Sequence, residues 1–307
     1  DEASVSLTPP QPIAVLSRHE LARYLIDEAE KCGVTIVKSR VTQVEPTARG
    51  WMLSTREGSV QSEFLIGADG ATSLIRRNLG TALQPDDLSV TLGYFIPGAS
   101  SSHMKVYFVP SLEGYIWSFP RPNHISYGLI TRSDPGWTSR AKMLLSNFIT
   151  ADLGPDALER AEFYSAPVPC LSPKSWKINQ IAGKGWALIG DAAGLVDPIT
   201  GEGIYYAFKS AQILAETIED PARYPALIGT EIVPELARAS RMYKRFYRGR
   251  FMAADFRKRT IQLSRRSRTL RSILGNLISG NQSYRDLTKK LVLSIPSIGL
   301  DLISGRQ

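Results

Sequence analysis

Residues 185–219, GWALIGDAAGLVDPITGEGIYYAFKSAQILAETIE, constrain the fold more than any other stretch of the chain. The apolar run Trp186 to Ile189 predicts a buried strand that Gly190 ends, with an acid, Asp191, at its C-terminal tip. After a loop holding Pro198, Gly201 and Gly203, apolar residues recur at Ile204, Ala207, Phe208, Ala211, Ala215 and Ile218, the spacing of one buried helix face. Strand, glycine loop and helix in that order predict an open α/β sheet, a fold that binds ligands at its strand tips. The backbone N–H groups of Gly201, Glu202 and Gly203 would be bare at the helix start, where the dipole favours negative charge. Asp191 would be placed to accept hydrogen bonds from ligand hydroxyls. On spacing alone, an ordinary strand-to-helix crossover with glycines for tight turning serves equally well.

The chain before this stretch repeats the theme. Pro12 to Leu16 predicts a short strand, and Ser17 then caps a helix whose capping box is completed by Glu20 and whose end is marked by Gly33. Arg18 falls in the first turn of that helix, where a cation gains nothing from the dipole. Either it is a solvated surface arginine or it answers an external anion. Val34 to Val37, Val41 to Val44, Trp51 to Thr55 and Val60 to Ile66 are short β-prone runs parted by turn signals. The last leads into GADGATSLIRR, residues 67–77, again a strand followed by a small-residue turn and a helix.

Between the two turns lie four runs suited to an antiparallel sheet: Ser89 to Ile96, Met104 to Val109, Tyr115 to Phe119 and Ile125 to Thr131. In the third, Tyr115, Trp117 and Phe119 alternate with Ile116 and Ser118, so three aromatics share one sheet face. That face is either core or the wall of an apolar pocket. Met143 to Ile149 predicts a helix, and Ala166 to Cys170, with prolines at 167 and 169, an extended return.

GDAAGLVDPITGEGI resembles the second flavin fingerprint of the FAD-dependent hydroxylase superfamily and is most similar in wording to its geranylgeranyl reductase branch. GADGATSLIRR resembles the DG fingerprint of the same superfamily, in the family's order and about 120 residues upstream. GYIWSFPRPNHISYG, residues 114–128, resembles the YxWxFP signature of geranylgeranyl reductases, although Leu129 and Ile130 follow Gly128 where the family often continues with a GxG. The resemblance implies FAD as cofactor, held by Arg18, Asp69, Gly70, Gly190, Asp191, Pro198, Gly201, Glu202 and Gly203. Asp191 would take the ribityl chain and Pro198 and Gly201 would lie beside the isoalloxazine ring. It also implies that Tyr115, Trp117, Phe119 and Pro120 line a polyprenyl cavity, with NAD(P)H or ferredoxin as electron donor.

The implied fold is α/β: a Rossmann-like FAD-binding domain formed by residues 1–80 and 166–220, an inserted antiparallel β-sheet substrate domain at 81–165, and a helical C-terminal region at 221–307. Such a dinucleotide fold opens with a GxGxxG turn, yet no glycine precedes Gly33. The expectation is a fragment whose first βαβ unit lies upstream; loss of that unit is the alternative. The reaction implied is reduction of isoprenoid C=C bonds by hydride from reduced flavin. The competing readings are a flavin monooxygenase or halogenase and, from a different class, a flavin-free membrane or nucleic-acid adaptor.

The adaptor reading draws on charge. The chain carries a net +8, and 13 Lys and Arg against one acid, Asp255, fall between Arg238 and Arg271, while the remainder is mildly acidic. This helical segment reads as a solvated or internally paired face first, a surface resting on anionic lipid second, and a nucleic-acid patch last, because no nucleic-acid motif accompanies it. The apolar tail Leu291 to Ile303 is expected to cover the substrate domain. Cys32 and Cys170 exclude a disulfide scaffold and point to a reducing compartment, with Cys170 read as structural. His19, His103 and His124 lack metal-ligand spacing, so no metal site is expected. No apolar run approaches the roughly 18–20 residues of a membrane span, and a cytoplasmic or membrane-surface chain is the expectation.

Overall fold

A computed structural model describes residues 4–110, 112–132, 136–251, 254–280 and 282–304. The first helix, α1 (Arg18–Lys31), starts with the expected reciprocal cap: the Ser17 hydroxyl accepts from the Glu20 amide at 3.0 Å and the Glu20 carboxylate accepts from the Ser17 amide at 3.4 Å. Pro12 to Leu16 and Val34 to Val37, expected as strands, form no strand and pair with none. A strand needs a neighbour to take its N–H and C=O groups, and no described strand lies beside either segment. Their apolar side chains stay in solvent, Val37 at 63% of its full exposure.

A three-stranded antiparallel meander follows: β1 (Gln43–Thr47), β2 (Gly50–Ser54) and β3 (Ser59–Ser62). The expected run Val60 to Ile66 breaks in two, because β4 (Leu65–Gly67) leaves the meander to join a different sheet. Helix α2 (Leu74–Leu79) comes directly after it. The next sheet holds β5 (Leu88–Pro97), β6 (Lys105–Tyr107), β7 (Gly114–Pro120), β8 (His124–Arg132) and, after α3 (Trp137–Leu153), β9 (Glu162–Pro169). Its order is β6-β7-β8-β5-β9, all antiparallel. Pro167 and Pro169 are tolerated because β9 is an edge strand. One face packs Leu92, Ile116, Tyr127 and Leu129 against Ala141, Leu145 and Ile149 of α3.

The chain then returns through β10 (Ala182–Gly183) and β11 (Trp186–Leu188), and β11 pairs in parallel with β4, Ala187 opposite Ile66. Fifteen residues of loop and turn, 189–203, separate them from α4 (Ile204–Glu216), which exists as expected but is rotated relative to the expected face. Its buried residues are Tyr206, Ser210, Ile213 and Leu214, whereas Phe208 is 50% exposed and Ile204 and Ile218 are exposed too. The glycine-linked loop sets the roll of the helix, and Ser210 turns inward to meet the Gly190 amide at 3.0 Å.

Helices α5 (Arg223–Glu231) and α6 (Val233–Arg248), a two-residue hairpin of β12 (Arg250–Phe251) and β13 (Ala254–Asp255), and helices α7 (Phe256–Arg266), α8 (Arg268–Ile278), α9 (Tyr284–Leu293) and α10 (Ile295–Ser304) complete the chain. The apolar tail packs through α10 on α7, α8 and α9, a correction to the expectation that it covers the substrate sheet. Its one charge, Asp301, turns inward to accept from the Ser267 hydroxyl at 2.8 Å and the Thr269 amide at 3.0 Å.

Beneath the parallel strands, the fully buried Tyr224 of α5 donates to the Leu188 carbonyl at 2.7 Å. Tyr224→Phe strands that carbonyl in the core. It should cost about 1–2 kcal/mol and lower Tm by about 2–4 °C in a thermal melt; an unchanged Tm would mean that the carbonyl is satisfied another way.

Candidate functional site

Two residues beyond the end of β11 stands Gly190, whose φ is +54°. A Cβ at this glycine would stand 3.0 Å from the Ala207 Cβ, so α4 crosses directly over the strand tip. Asp191 follows in a short 3-10 turn, Gly190–Ala193. Burial raises the pKa of its carboxyl above the ordinary value, and Arg18 from the first turn of α1 acts in the opposite direction. The structure therefore brings Arg18 and Asp191, 173 positions apart in numbering, into one electrostatic neighbourhood. A Cβ on Gly203 would come within 2.8 Å of the Asp191 Oδ1 and 3.2 Å of Val196 Cγ2, so the glycine lets the helix start lie against the carboxylate where it stands.

The loop between them is tied to itself. The buried Asp197 accepts from the amides of Ile199 at 2.7 Å and Thr200 at 3.2 Å through its Oδ1. Its own amide donates to the Glu202 carbonyl at 2.9 Å, and the Gly201 amide donates back to the Asp197 carbonyl at 2.8 Å. The Glu202 amide meets the Thr200 hydroxyl at 3.3 Å. Three bare amides at Gly201 to Gly203 is thus corrected: two are spent on closing the loop, which holds Gly201 at φ +71°. Helix α4 has no side-chain cap, so the amides of its first turn have no partner within the helix.

Asp69 is placed differently from a simple ligand. Its Oδ2 accepts from the amides of Leu74 at 2.6 Å and Ile75 at 3.4 Å, and Ser73 caps the Arg76 amide at 2.9 Å, so both residues organise the start of α2. Gly70, at φ +75°, makes the turn between them. Arg76 itself carries a role that spacing did not single out. Its buried guanidinium donates to the Ala192 carbonyl at 3.0 Å and to Asn179 Oδ1 at 2.6 Å, locking the 67–77 turn onto the 190–194 turn. Burial pulls its pKa down to about 10, with Asp87 opposing. The signal available was an arginine pair opening a helix with no acid nearby in sequence.

The aromatic stripe occupies the sheet face away from α3. Ile116 and Ser118 are buried on the α3 side, while Tyr115, Trp117 and Phe119 are half-buried on the other, with ring centroids 5.8 Å and 6.0 Å apart along the row. Two glycines make room for rings lying flat on the strands. Gly128 pairs with Trp117 across β8 and β7, and a Cβ there would fall within the indole. Gly93 on β5 likewise underlies the ring of Tyr164, which stacks on Phe95 at 4.6 Å. This face looks onto the loop. The Tyr115 hydroxyl donates to the Thr200 carbonyl, and the Ile130 Cδ1 lies 2.6 Å from where a Gly201 Cβ would be. Pro120 ends β7 beside Phe119, and Pro198 borders a small cleft with Ile130, Ile199 and Tyr247.

Outside this region Cys170 is fully buried, and desolvation pushes its thiol up to about 11, so it stays protonated. Part of the basic segment is consumed internally. Arg257 is buried, pairs with Asp255 at 2.8 Å and donates to the Leu112 carbonyl at 3.0 Å, and Arg248 pairs with Glu113. Among the described residues no helix is long and apolar enough to cross a membrane.

A carboxylate at a strand tip, a glycine that lets it approach a helix start, and an uncapped 13-residue helix fit the ribityl and ring end of FAD. The pyrophosphate end calls for a GxGxxG turn, which these 307 residues do not contain.

Comparison with known proteins agrees. The model of the family described as FAD binding domain matches residues 2–223. The digeranylgeranylglycerophospholipid reductase of Methanosarcina acetivorans is 28% identical over 249 residues, covering 76% of this chain and 58% of its own. The tryptophan 2-halogenase of Chondromyces crocatus is 25% identical over 260 residues, covering 77% and 48%. The chain spans about half the length of the curated relatives it matches. Among solved structures, a geranylgeranyl bacteriochlorophyll reductase-like protein from Thermoplasma acidophilum superposes with a TM-score of 0.69 at 22% identity, covering 94% of this chain and 75% of its own, a likeness of fold.

Proposed function

The chain belongs to the FAD binding domain family, and from that premise we propose that it forms the greater part of an FAD-dependent oxidoreductase that reduces C=C bonds of a polyprenyl, geranylgeranyl-type substrate. One observation carries this reading: the half-buried row Tyr115, Trp117, Phe119 faces the very loop that opens α4. An apolar face and an anion-directed helix start therefore share one cleft. The names of relatives such as the Methanosarcina reductase support the substrate class.

Reduced FAD, when bound, supplies the hydride for one carbon of the double bond, and a proton completes the neighbouring carbon. The chain's own residues bind, orient and exclude water. Asp191 accepts from the ribityl hydroxyls, with Arg18 beside it facing the cofactor's negative charge. The first-turn amides of α4 stabilise the ring edge that gains charge on reduction. Pro198 and Gly201 border the ring, and the aromatic row with Pro120 and Ile130 shelters the apolar chain from water. Asp69 and Gly70 hold the 67–77 turn against the cofactor, and Gly190 and Glu202 frame the loop. Reducing equivalents come from NAD(P)H or ferredoxin. The exposed remainder of the basic segment offers a surface for anionic lipid, where an isoprenoid substrate resides.

The halogenase likeness over 77% of the chain favours a second reading, in which the same reduced cofactor reacts with oxygen. Anaerobic visible spectroscopy of the full-length protein separates the two. A flavin band that dithionite bleaches and geranylgeranyl diphosphate restores is the expected result. Recovery only on admitting oxygen would favour the monooxygenase reading, and a colourless protein would leave the adaptor.

A further inference from the structure

We propose that Tyr243 and Tyr247, one turn apart on α6, are a positioning pair that fixes the gap between the loop at residues 197–203 and the aromatic sheet. The inference rests on the flavin reading for its catalytic consequence but not for its structural content. Tyr243 donates to the Glu113 carbonyl at 2.9 Å, at the entry to β7. Tyr247 donates to the Ile199 carbonyl at 2.6 Å, inside the loop. Residues four apart on a helix lie on one face, so a single rigid element grips both walls of the cleft.

Packing supports the grip. Ile199 is the loop's apolar peg, buried among Ala239, Tyr243, Tyr247 and Tyr284. The Arg132 guanidinium of β8 lies 4.4 Å over the Tyr243 ring, adding a second tie to the sheet. Burial raises the pKa of Asp197, the residue that orders the loop's amides, and Tyr284 of α9 acts on that carboxyl in the opposite direction. All of these helical contacts come from residues beyond 223, where the family match ends. The loop's own hydrogen bonds close its turn, and the hydroxyl of Tyr247 adds to the Tyr115 contact a tie that anchors the turn to α6 without touching a ligand. Transfer between two bound groups depends steeply on their separation, so a helix that sets the separation acts on rate more than on affinity for substrate.

The test removes one oxygen. Tyr247→Phe keeps the ring in its cluster, and Tyr224→Phe, which removes a buried hydroxyl bonded to the Leu188 carbonyl rather than to the loop, is the control. In hydrogen exchange of the full-length protein without added cofactor, Tyr247→Phe should speed the amides of Ile199, Thr200 and Gly201 about tenfold, the factor that about 1.4 kcal/mol gives, and Tyr224→Phe should leave them unchanged. With FAD bound, Tyr247→Phe should slow substrate reduction about tenfold with KM within twofold. Unchanged exchange at those three amides, or equal acceleration in the control, overturns the positioning pair. A full-length protein that binds no flavin sinks the proposed function, and the exchange result then still decides whether α6 clamps the loop. Accelerated exchange with an unchanged reduction rate overturns the catalytic consequence.

Discussion

Gly128→Ala should leave the full-length protein coloured by flavin yet reduce its turnover of a prenyl substrate by about a hundredfold. The cause is local. Register places Gly128 directly opposite Trp117, and an added Cβ would stand 2.7 Å from the indole Cη2 and closer still to Cζ2 and Cε2. The strand cannot yield, because β8 is hydrogen-bonded on both sides, to β7 and β5. The indole must lift off the sheet into the space that the row Tyr115, Trp117, Phe119 leaves facing the loop. Overpacking of this kind costs about 1–3 kcal/mol of stability, small against a large domain, while a substrate displaced by about 1 Å loses about a hundredfold in rate. The aliphatic cluster against α3 lies on the opposite face, so flavin content should stay near that of the parent. Flavin absorbance and anaerobic turnover measured on the same sample decide the matter. Turnover within twofold of the parent would return Trp117 to packing duty.

What could be read from the chain follows from how local each signal is. The alternation of Tyr115, Ile116, Trp117 and Ser118 reports which side chains share a face, and the observed strand keeps that division. The cap at Ser17 and Glu20 is equally local and equally legible. Which face is core is not local: it depends on α3 arriving on one side and the 197–203 loop on the other. The roll of α4 was misread for the same reason. Ile204, Phe208 and Ile218 have helical spacing, but Ser210 bonds to Gly190 and carries the opposite face inward. Strands failed where pairing partners are distant, since Val34 to Val37 has every β-prone feature except a neighbour. The bare amides failed because an aspartate side chain, Asp197, folded the loop back on its own donors. Arg76 and Tyr247 escaped notice because their partners, the Ala192 and Ile199 carbonyls, are backbone atoms far away in sequence.

Asp191→Ala should deprive the full-length protein of FAD, weakening binding by at least about a hundredfold. Each hydrogen bond to a charged acceptor contributes about 1.5–3 kcal/mol, so two from ribityl hydroxyls give that hundredfold, and Asp69, past the neighbouring strand, is engaged by the amides of α2. The carboxylate is also rigidly presented, since Gly190 is pinned by Ser210 and crossed by Ala207 on one side and Gly203 leaves it open on the other. Asp191→Asn keeps one acceptor oxygen and should fall between the two. Loss of flavin can be told from loss of fold by the sign of the linkage. Burial holds the folded-state pKa of Asp191 above its unfolded value, with Arg18 opposing, so the folded state binds more protons across that window. Its contribution to stability therefore falls as pH rises through the window, and above it the ionised carboxylate costs stability in the unliganded chain. Asp191→Ala should thus melt no earlier than the parent when both are stripped of flavin, although it no longer binds the cofactor. By the same shift, FAD affinity of the parent should decline on acidification at a higher pH than an exposed aspartate would give. Arg18→Gln should move that decline higher still. Titration of the apoprotein with FAD across pH 4 to 8 reads both effects, and full occupancy in Asp191→Ala would remove this residue from the site.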